Sequence, residues 1–136
     1  RILYQKNINV RFLTASLAKI MTALVAIEHG DLSEYYIVDE DAARQEGSSL
    51  YLEAGDKVTL KDLLYGLMLR SGNDAAVLIA KNVFKDYDHF IYMMNETAKK
   101  IGMTEEMYIG ELKKRNTDKK QIDAMRRLWR KTKIKE

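Results

Sequence analysis

Ser16 and Lys19 stand three residues apart at the head of an apolar segment, Thr14-Ala15-Ser16-Leu17-Ala18-Lys19-Ile20-Met21-Thr22. Three residues is about one helical turn, so the hydroxyl and the amine can face the same way and meet. A serine hydroxyl is a weak nucleophile at neutral pH and attacks a carbonyl readily only when a neighbouring base takes its proton. Lysine becomes such a base when burial disfavours its ammonium form. Leu17, Ile20, Met21, Ala23, Leu24, Val25 and Ile27 surround Lys19 in sequence, so burial is expected. A second polar group, Arg70-Ser71-Gly72-Asn73-Asp74, falls between two helical patterns. Ser, Gly and Asn are ordinary turn residues, but a tight turn between packed helices can also aim polar side chains into a cleft.

The elements that would carry these groups are readable. Thr14 is a candidate N-cap and Gly30 a candidate C-cap for a helix over residues 15–29. That helix is apolar on nearly every side, which predicts a central, buried position. Thr59 and Asp62 form a capping-box pattern ahead of a helix over 60–69. Further helices are expected at 74–84 and 88–101, the last ended by Gly102, with one helical turn at 40–45. Strands or extended pieces are expected at 2–5, 35–38, 49–52 and 57–58. Met68, Met93, Met94 and Met103 read as core filler.

Ser-x-x-Lys followed by Ser-x-Asn resembles the signature of penicillin-binding proteins and serine β-lactamases. The likeness is strongest to the D-alanyl-D-alanine carboxypeptidases among the low-molecular-mass penicillin-binding proteins. Blocks in the family's order carry it: Arg1-Ile2-Leu3-Tyr4-Gln5-Lys6-Asn7, Ala15 through Leu24, Gly47-Ser48-Ser49-Leu50-Tyr51-Leu52, Gly55-Asp56-Lys57-Val58-Thr59-Leu60, Asp62 through Leu69, and Arg70 through Ala76. It extends over residues 1–104. Thr14 and Ala18 stand where the family usually has proline and threonine. No export signal and no preceding strand are seen. The family's K-T-G strand is also absent. Lys131-Thr132-Lys133 is the only near match; it sits in a charged tail, has lysine in place of the glycine, and reads as coincidence.

The resemblance implies an α+β fold: the mostly helical part of a penicillin-binding, β-lactamase-like transpeptidase fold with an incomplete antiparallel sheet. It implies a serine D-Ala-D-Ala carboxypeptidase acting on peptidoglycan stem peptides in the cell envelope, with β-lactams as inhibitors. Ser16 would form the acyl-enzyme and Lys19 would take its proton. Ser71 would relay a proton to the leaving amine, and Asn73 would hold the substrate amide and orient Lys19. Backbone N–H groups of Ser16 and of the strand after K-T-G would hold the oxyanion. Losing one such donor costs a factor of ~10² to 10³, so the chain reads as a truncated form of weak activity. Two alternatives stay open. One is an inactive or binding-only fragment of this fold; the other is a basic helical protein that binds a membrane surface or nucleic acid. On the carboxypeptidase reading Lys19→Ala abolishes acylation and leaves folding nearly intact, since a buried amine is removed.

Composition narrows the field. The 136 residues include no cysteine and no proline, so neither disulfides nor Cys-ligated metal arise. His29 and His89 are isolated in sequence, which argues against a zinc site and a Ser-His-Asp triad. No metal and no cofactor are expected, and no apolar run is long enough to span a membrane. Residues 111–136 hold 11 Lys and Arg against 4 Asp and Glu, a local +7, while the whole chain is +3. Residues 1–110 therefore carry −4, which weighs against a nucleic-acid partner. The segment 105–136 is read as a separate basic tail with a helix over 117–131. Ile122, Met125 and Leu128 are spaced to pack on the body, and membrane-surface contact is the competing role. On the docking reading Leu128→Asp lowers the thermal midpoint, because it sets an unpaired charge in an apolar contact. An unchanged midpoint after deletion of residues 117–136, with weaker binding to anionic vesicles, would favour the membrane surface instead.

Overall fold

The structure, a computed structural model, describes residues 2–6 and 15–103. The expected tail helix, the Lys131-Thr132-Lys133 near match, Thr14 and the boundary at residue 104 all lie outside the described residues. Ser16–Gly102 form one compact unit. Its elements are a single 3-10 turn over Ala15–Leu17 running into α1 (Ala18–His29), β1 (Tyr35–Ile37), α2 (Glu40–Ala43), β2 (Lys57–Thr59), α3 (Leu60–Leu69), α4 (Asn73–Asn82) and α5 (Tyr87–Lys100).

The two strands pair antiparallel with Tyr35 opposite Thr59, Tyr36 opposite Val58 and Ile37 opposite Lys57. Among the described residues, helices with this one two-stranded ladder make the expected α+β class. β2 passes directly into α3 at Thr59. There the Thr59 Oγ1 accepts from the Asp62 N–H at 3.1 Å and donates to the Asp62 carboxylate at 2.6 Å. The capping pattern thus ends a strand and starts a helix at one residue. Asp39 and Asp86 cap α2 and α5 in the same manner, accepting from Ala42 and from Asp88 and His89.

The core is built around α4, whose residues 74–80 are all buried. Val25 of α1, Val38 just after β1, Leu60, Leu63 and Leu67 of α3, and Phe90 of α5 complete it. This differs from the expectation that α1 is central. α1 is buried along one side only: Ile20 and Ile27 are 55% and 57% exposed, and Leu17 just before it is 65% exposed. The helix with the deepest burial is α4, because its small Ala75, Ala76 and Ala80 let neighbouring helices approach. Gly30 does cap α1, its N–H meeting the Ala26 carbonyl at 2.8 Å. Its φ is ordinary at −98°. What requires glycine is space, since a Cβ would overlap the Leu60 side chain.

Other expectations shift for local reasons. Residues 2–5 carry no strand, since a strand exists only through a ladder partner and none pairs with them among the described residues. Residues 49–52 form a loop in place of the expected extended piece, because the Leu50 and Leu52 N–H groups are taken by a side chain described below and the Tyr51 N–H by Ser49 Oγ. Met94 is core, but Met68 is half exposed. His29 and His89, far apart in sequence, both lie against Phe84, with ring centroids 5.3 and 4.7 Å away. No helix among the described residues is long and apolar enough to cross a membrane.

α2 is tied to α4 by Lys81, which meets Asp39 and Asp41, each at 2.7 Å. Burial alone would raise the Asp39 carboxyl, but the Lys81 hydrogen bond, the Ala42 N–H and the lysine charge outweigh it and hold it below the usual value. Burial works to lower the Lys81 amine, and the two carboxylates raise it instead. A depressed carboxyl adds stability that is present above its unfolded pKa and lost as pH falls through the folded one. A raised amine adds stability that is present below its unfolded pKa and lost as pH rises through the folded one. Lys81→Met is therefore expected to lower the thermal midpoint by at most about 5 °C at neutral pH, as suits ion pairs whose carboxylates remain partly solvated. The gap to the parent should close as pH falls below about 4. Thermal melts across pH check this, and a gap that does not change with pH would refute it.

Candidate functional site

Ser16 lies on the 3-10 turn that precedes α1, so the pair begins in a tighter helix than expected. Lys19 lies one turn on, in α1, and residues three apart on a helix share a face, which aligns it with Ser16. Ala15, at φ +48°, turns the chain into it. Ser16 is exposed while Lys19 is only 5% exposed. The amine is carried from the core toward the hydroxyl, and Nζ sits 3.4 Å from Ser16 Oγ.

Ser71 and Gly72 bridge α3 and α4, and Asn73 is already the first residue of α4. Ser71 follows the C-cap Arg70 with φ +58°, the left-handed position where helices usually place glycine. A non-glycine residue there costs roughly 1–2 kcal/mol. The turn directs both polar atoms of Ser71 inward: Lys19 Nζ donates to its carbonyl at 2.7 Å and contacts its hydroxyl at 3.1 Å. The Ser71 hydroxyl donates to Ser16 Oγ at 2.8 Å. Lys19 Nζ also donates to Asn73 Oδ1 at 2.7 Å. All four residues singled out from sequence therefore meet, across 52 to 55 residues of chain.

The distances rank the contacts. The direct Ser16–Lys19 separation of 3.4 Å is longer than a good hydrogen bond, whereas both legs through Ser71 fall within range. The carbonyl oxygens of Ser71 and Asn73 can only accept, so each takes an N–H of Lys19. The two hydroxyls can donate or accept, so a proton can pass among Ser16 Oγ, Ser71 Oγ and Lys19 Nζ. Among the described residues no three His, Asp or Glu gather as a metal site.

The groups that hold Asn73 are not visible in the sequence. Its backbone N–H donates to the Ser48 carbonyl at 2.7 Å and its Nδ2 to the Glu46 carbonyl. Between them Gly47 has φ +90°, and a Cβ there would come within 2.9 Å of Asn73 Nδ2. Glycine is needed on both counts. Asp74, fully buried, reads in sequence only as part of a motif. Its carboxylate accepts from the Ser49 hydroxyl and from the N–H groups of Leu50, Leu52 and Ala75. An acidic residue in the first turn of a helix is a visible signal for capping; its tie to residues 49–52 is not.

Comparison with known proteins supplies context. The family model described as D-alanyl-D-alanine carboxypeptidase matches residues 1–112. D-alanyl-D-alanine carboxypeptidase DacF of Bacillus subtilis is 38% identical over 108 residues, which cover 76% of this chain and 28% of that protein. The crystal structure of D-alanyl-D-alanine carboxypeptidase DacD from Francisella tularensis superposes with a TM-score of 0.71 at 36% identity, covering 79% of this chain and 27% of that one. Penicillin binding protein 5 from Haemophilus influenzae gives a TM-score of 0.71 at 28% identity, with 79% and 34% covered. The chain thus spans between a quarter and about a third of the length of these proteins.

The contacts revise the expectation that Lys19→Ala leaves folding nearly intact. Its removal strips the Ser71 carbonyl and the Asn73 amide oxygen of a donor, and a polar group left unpaired costs about 1–3 kcal/mol. A clearly lower thermal midpoint is expected for Lys19→Ala. An unchanged midpoint would mean that water replaces the amine without loss.

Proposed function

The chain belongs to the D-alanyl-D-alanine carboxypeptidase family, and on that premise we propose that Ser16, Lys19, Ser71 and Asn73 are the acyl-transfer site of a serine D-Ala-D-Ala carboxypeptidase. The observation that carries the reading is the continuous contact of two hydroxyls and one buried amine, 2.8 to 3.4 Å apart, drawn from the start of α1 and from the α3–α4 turn.

Ser16 Oγ attacks the carbonyl carbon of the penultimate D-alanine of a peptidoglycan stem peptide. The new C–O bond forms as the Ser16 proton passes to Lys19, and the shorter legs for that transfer run through Ser71 Oγ. The tetrahedral oxyanion then collapses. The C–N bond breaks, the leaving amine takes a proton from Lys19 by way of Ser71, and D-alanine departs. Water, deprotonated along the same line, hydrolyses the ester and restores Ser16. Asn73 works on both sides of this step. Its Oδ1 fixes Lys19, and an amide nitrogen has two N–H groups, so the bond to Glu46 leaves one for a substrate carbonyl. A β-lactam carbonyl would enter the same path and stop at the acyl-enzyme. Such a substrate assigns the work to the cell envelope.

One oxyanion donor is the Ser16 N–H. In the family pattern the other follows the K-T-G strand, and the 136 residues contain no K-T-G. That observation favours a second reading, an inactive or binding-only fragment of this fold, which keeps Ser16 and Lys19 yet fails to acylate.

Incubation with a penicillin, followed by intact mass and peptide mapping, tests the site. A penicilloyl adduct on Ser16 is expected, slowed strongly in Ser71→Ala. An adduct on Ser49 or Ser71 would overturn the assignment, and no adduct after prolonged incubation would favour the binding-only reading. D-alanine release from a D-Ala-D-Ala peptide is expected well below ~1 s⁻¹ for these 136 residues.

A further inference from the structure

Asp74 is 0% exposed, yet it touches none of the reacting groups. A buried carboxylate is costly unless its oxygens are satisfied, and here nearly all the partners come from one loop. Ser49 Oγ donates to Oδ2 at 2.7 Å and the Leu50 N–H at 2.9 Å, with the Leu52 N–H at 3.3 Å. Oδ1 accepts from Leu50 at 3.1 Å and from Ala75 at 2.8 Å. The loop that these bonds hold is the one whose Glu46 and Ser48 carbonyls grip Asn73. It is also wedged from the other side, because Leu50 covers Gly66 of α3 so closely that a Cβ there would overlap it. The strained backbone of the segment, Gly47 at φ +90° and exposed Tyr51 at φ +61°, needs such restraint to persist.

We propose that Asp74 is a positioning residue for the acyl-transfer site. Its carboxylate locks residues 46–52, that loop fixes the Asn73 amide, and Asn73 Oδ1 in turn aims the Lys19 amine at Ser16 and Ser71. The role in reaction rests on the proposed function; the lock itself does not. The chemistry explains why aspartate is required and asparagine will not serve. Both oxygens face donors, so an asparagine side chain at this position would, in either orientation, turn its NH2 group toward backbone N–H groups that cannot accept.

Amide hydrogen exchange and NMR on the 136-residue chain separate positioning from general stability. In Asp74→Asn, exchange at Leu50, Leu52 and Asn73 should accelerate roughly tenfold or more while α5 amides such as Met94 and Ala98 keep their protection, as local opening behaves. The Asn73 side-chain amide resonances should move. Ser49→Ala should give the same pattern more weakly, and it decides the matter if Asp74→Asn fails to fold. Uniform acceleration through α3, α4 and α5, or unmoved Asn73 resonances, would overturn the proposal. The Ser16 adduct in the parent chain tests the proposed function separately. Where it forms, its rate should fall in Asp74→Asn at a temperature where both chains are folded, and an unchanged rate would overturn the positioning role and confine Asp74 to holding the loop.

Discussion

A lysine amine that is almost wholly withdrawn from solvent must find oxygen atoms to replace water, and the architecture around Lys19 answers that requirement. Nζ donates to the Ser71 carbonyl and to Asn73 Oδ1, both at 2.7 Å. Those two acceptors do more than satisfy the group. They occupy N–H positions with atoms that cannot donate, so that among these contacts the Ser16 and Ser71 hydroxyls are the groups able to exchange a proton with the amine. Burial, which reads as a cost for one side chain, becomes the means by which the start of α1 and the α3–α4 turn are brought into one arrangement. The Ser16 hydroxyl stays exposed at the rim while the amine is held from beneath.

Holding the acceptors in place requires backbone conformations that ordinary turns avoid. Ser71 occupies a left-handed helix cap that glycine would fill without strain, and in exchange presents its carbonyl and hydroxyl to the same amine. Gly47 takes a positive-φ conformation one residue from each of the carbonyls that bind Asn73. Such features persist when their surroundings over-determine them. Here the surroundings are the Asp74 carboxylate on one side of the loop and Gly66 beneath Leu50 on the other. Strain and rigid support therefore occur side by side at the cluster.

The helices differ in what surrounds them. α4 is deeply buried because alanines at 75, 76 and 80 allow close approach, and it bears Asn73 and Asp74 at its N-terminus, where backbone N–H groups favour carboxylate. α1 turns Met21, Val25 and Ala26 inward, whereas Ile20 and Ile27 face outward. Burial depends on neighbours, so an apolar helix surface by itself does not say which face meets the core. The relatives compared above extend far beyond the stretch they share with this chain.

Residue type and spacing picked out Ser16 with Lys19 and the polar turn at Ser71 to Asn73, and the family resemblance joined the two into one site. Ser-x-x-Lys and Ser-x-Asn hold all four residues that converge. Capping and helical patterns set the start of α3 at Leu60 and, to within a residue or two, the bounds of α4 and α5. These features are local: a cap, a turn and an i, i+3 pair are written within a few residues of chain. The tertiary structure decided what depends on distant partners. The 3-10 turn under Ser16, the shorter contacts through Ser71 and the outward face of α1 have no signature in spacing. The conversion of residues 49–52 from an expected extended piece to a loop has none either, because the acceptor for the Ser49 hydroxyl and the Leu50 and Leu52 N–H groups is Asp74, 22 to 25 residues further on. Local sequence determines which polar groups a segment offers; only the folded chain determines which distant group receives them.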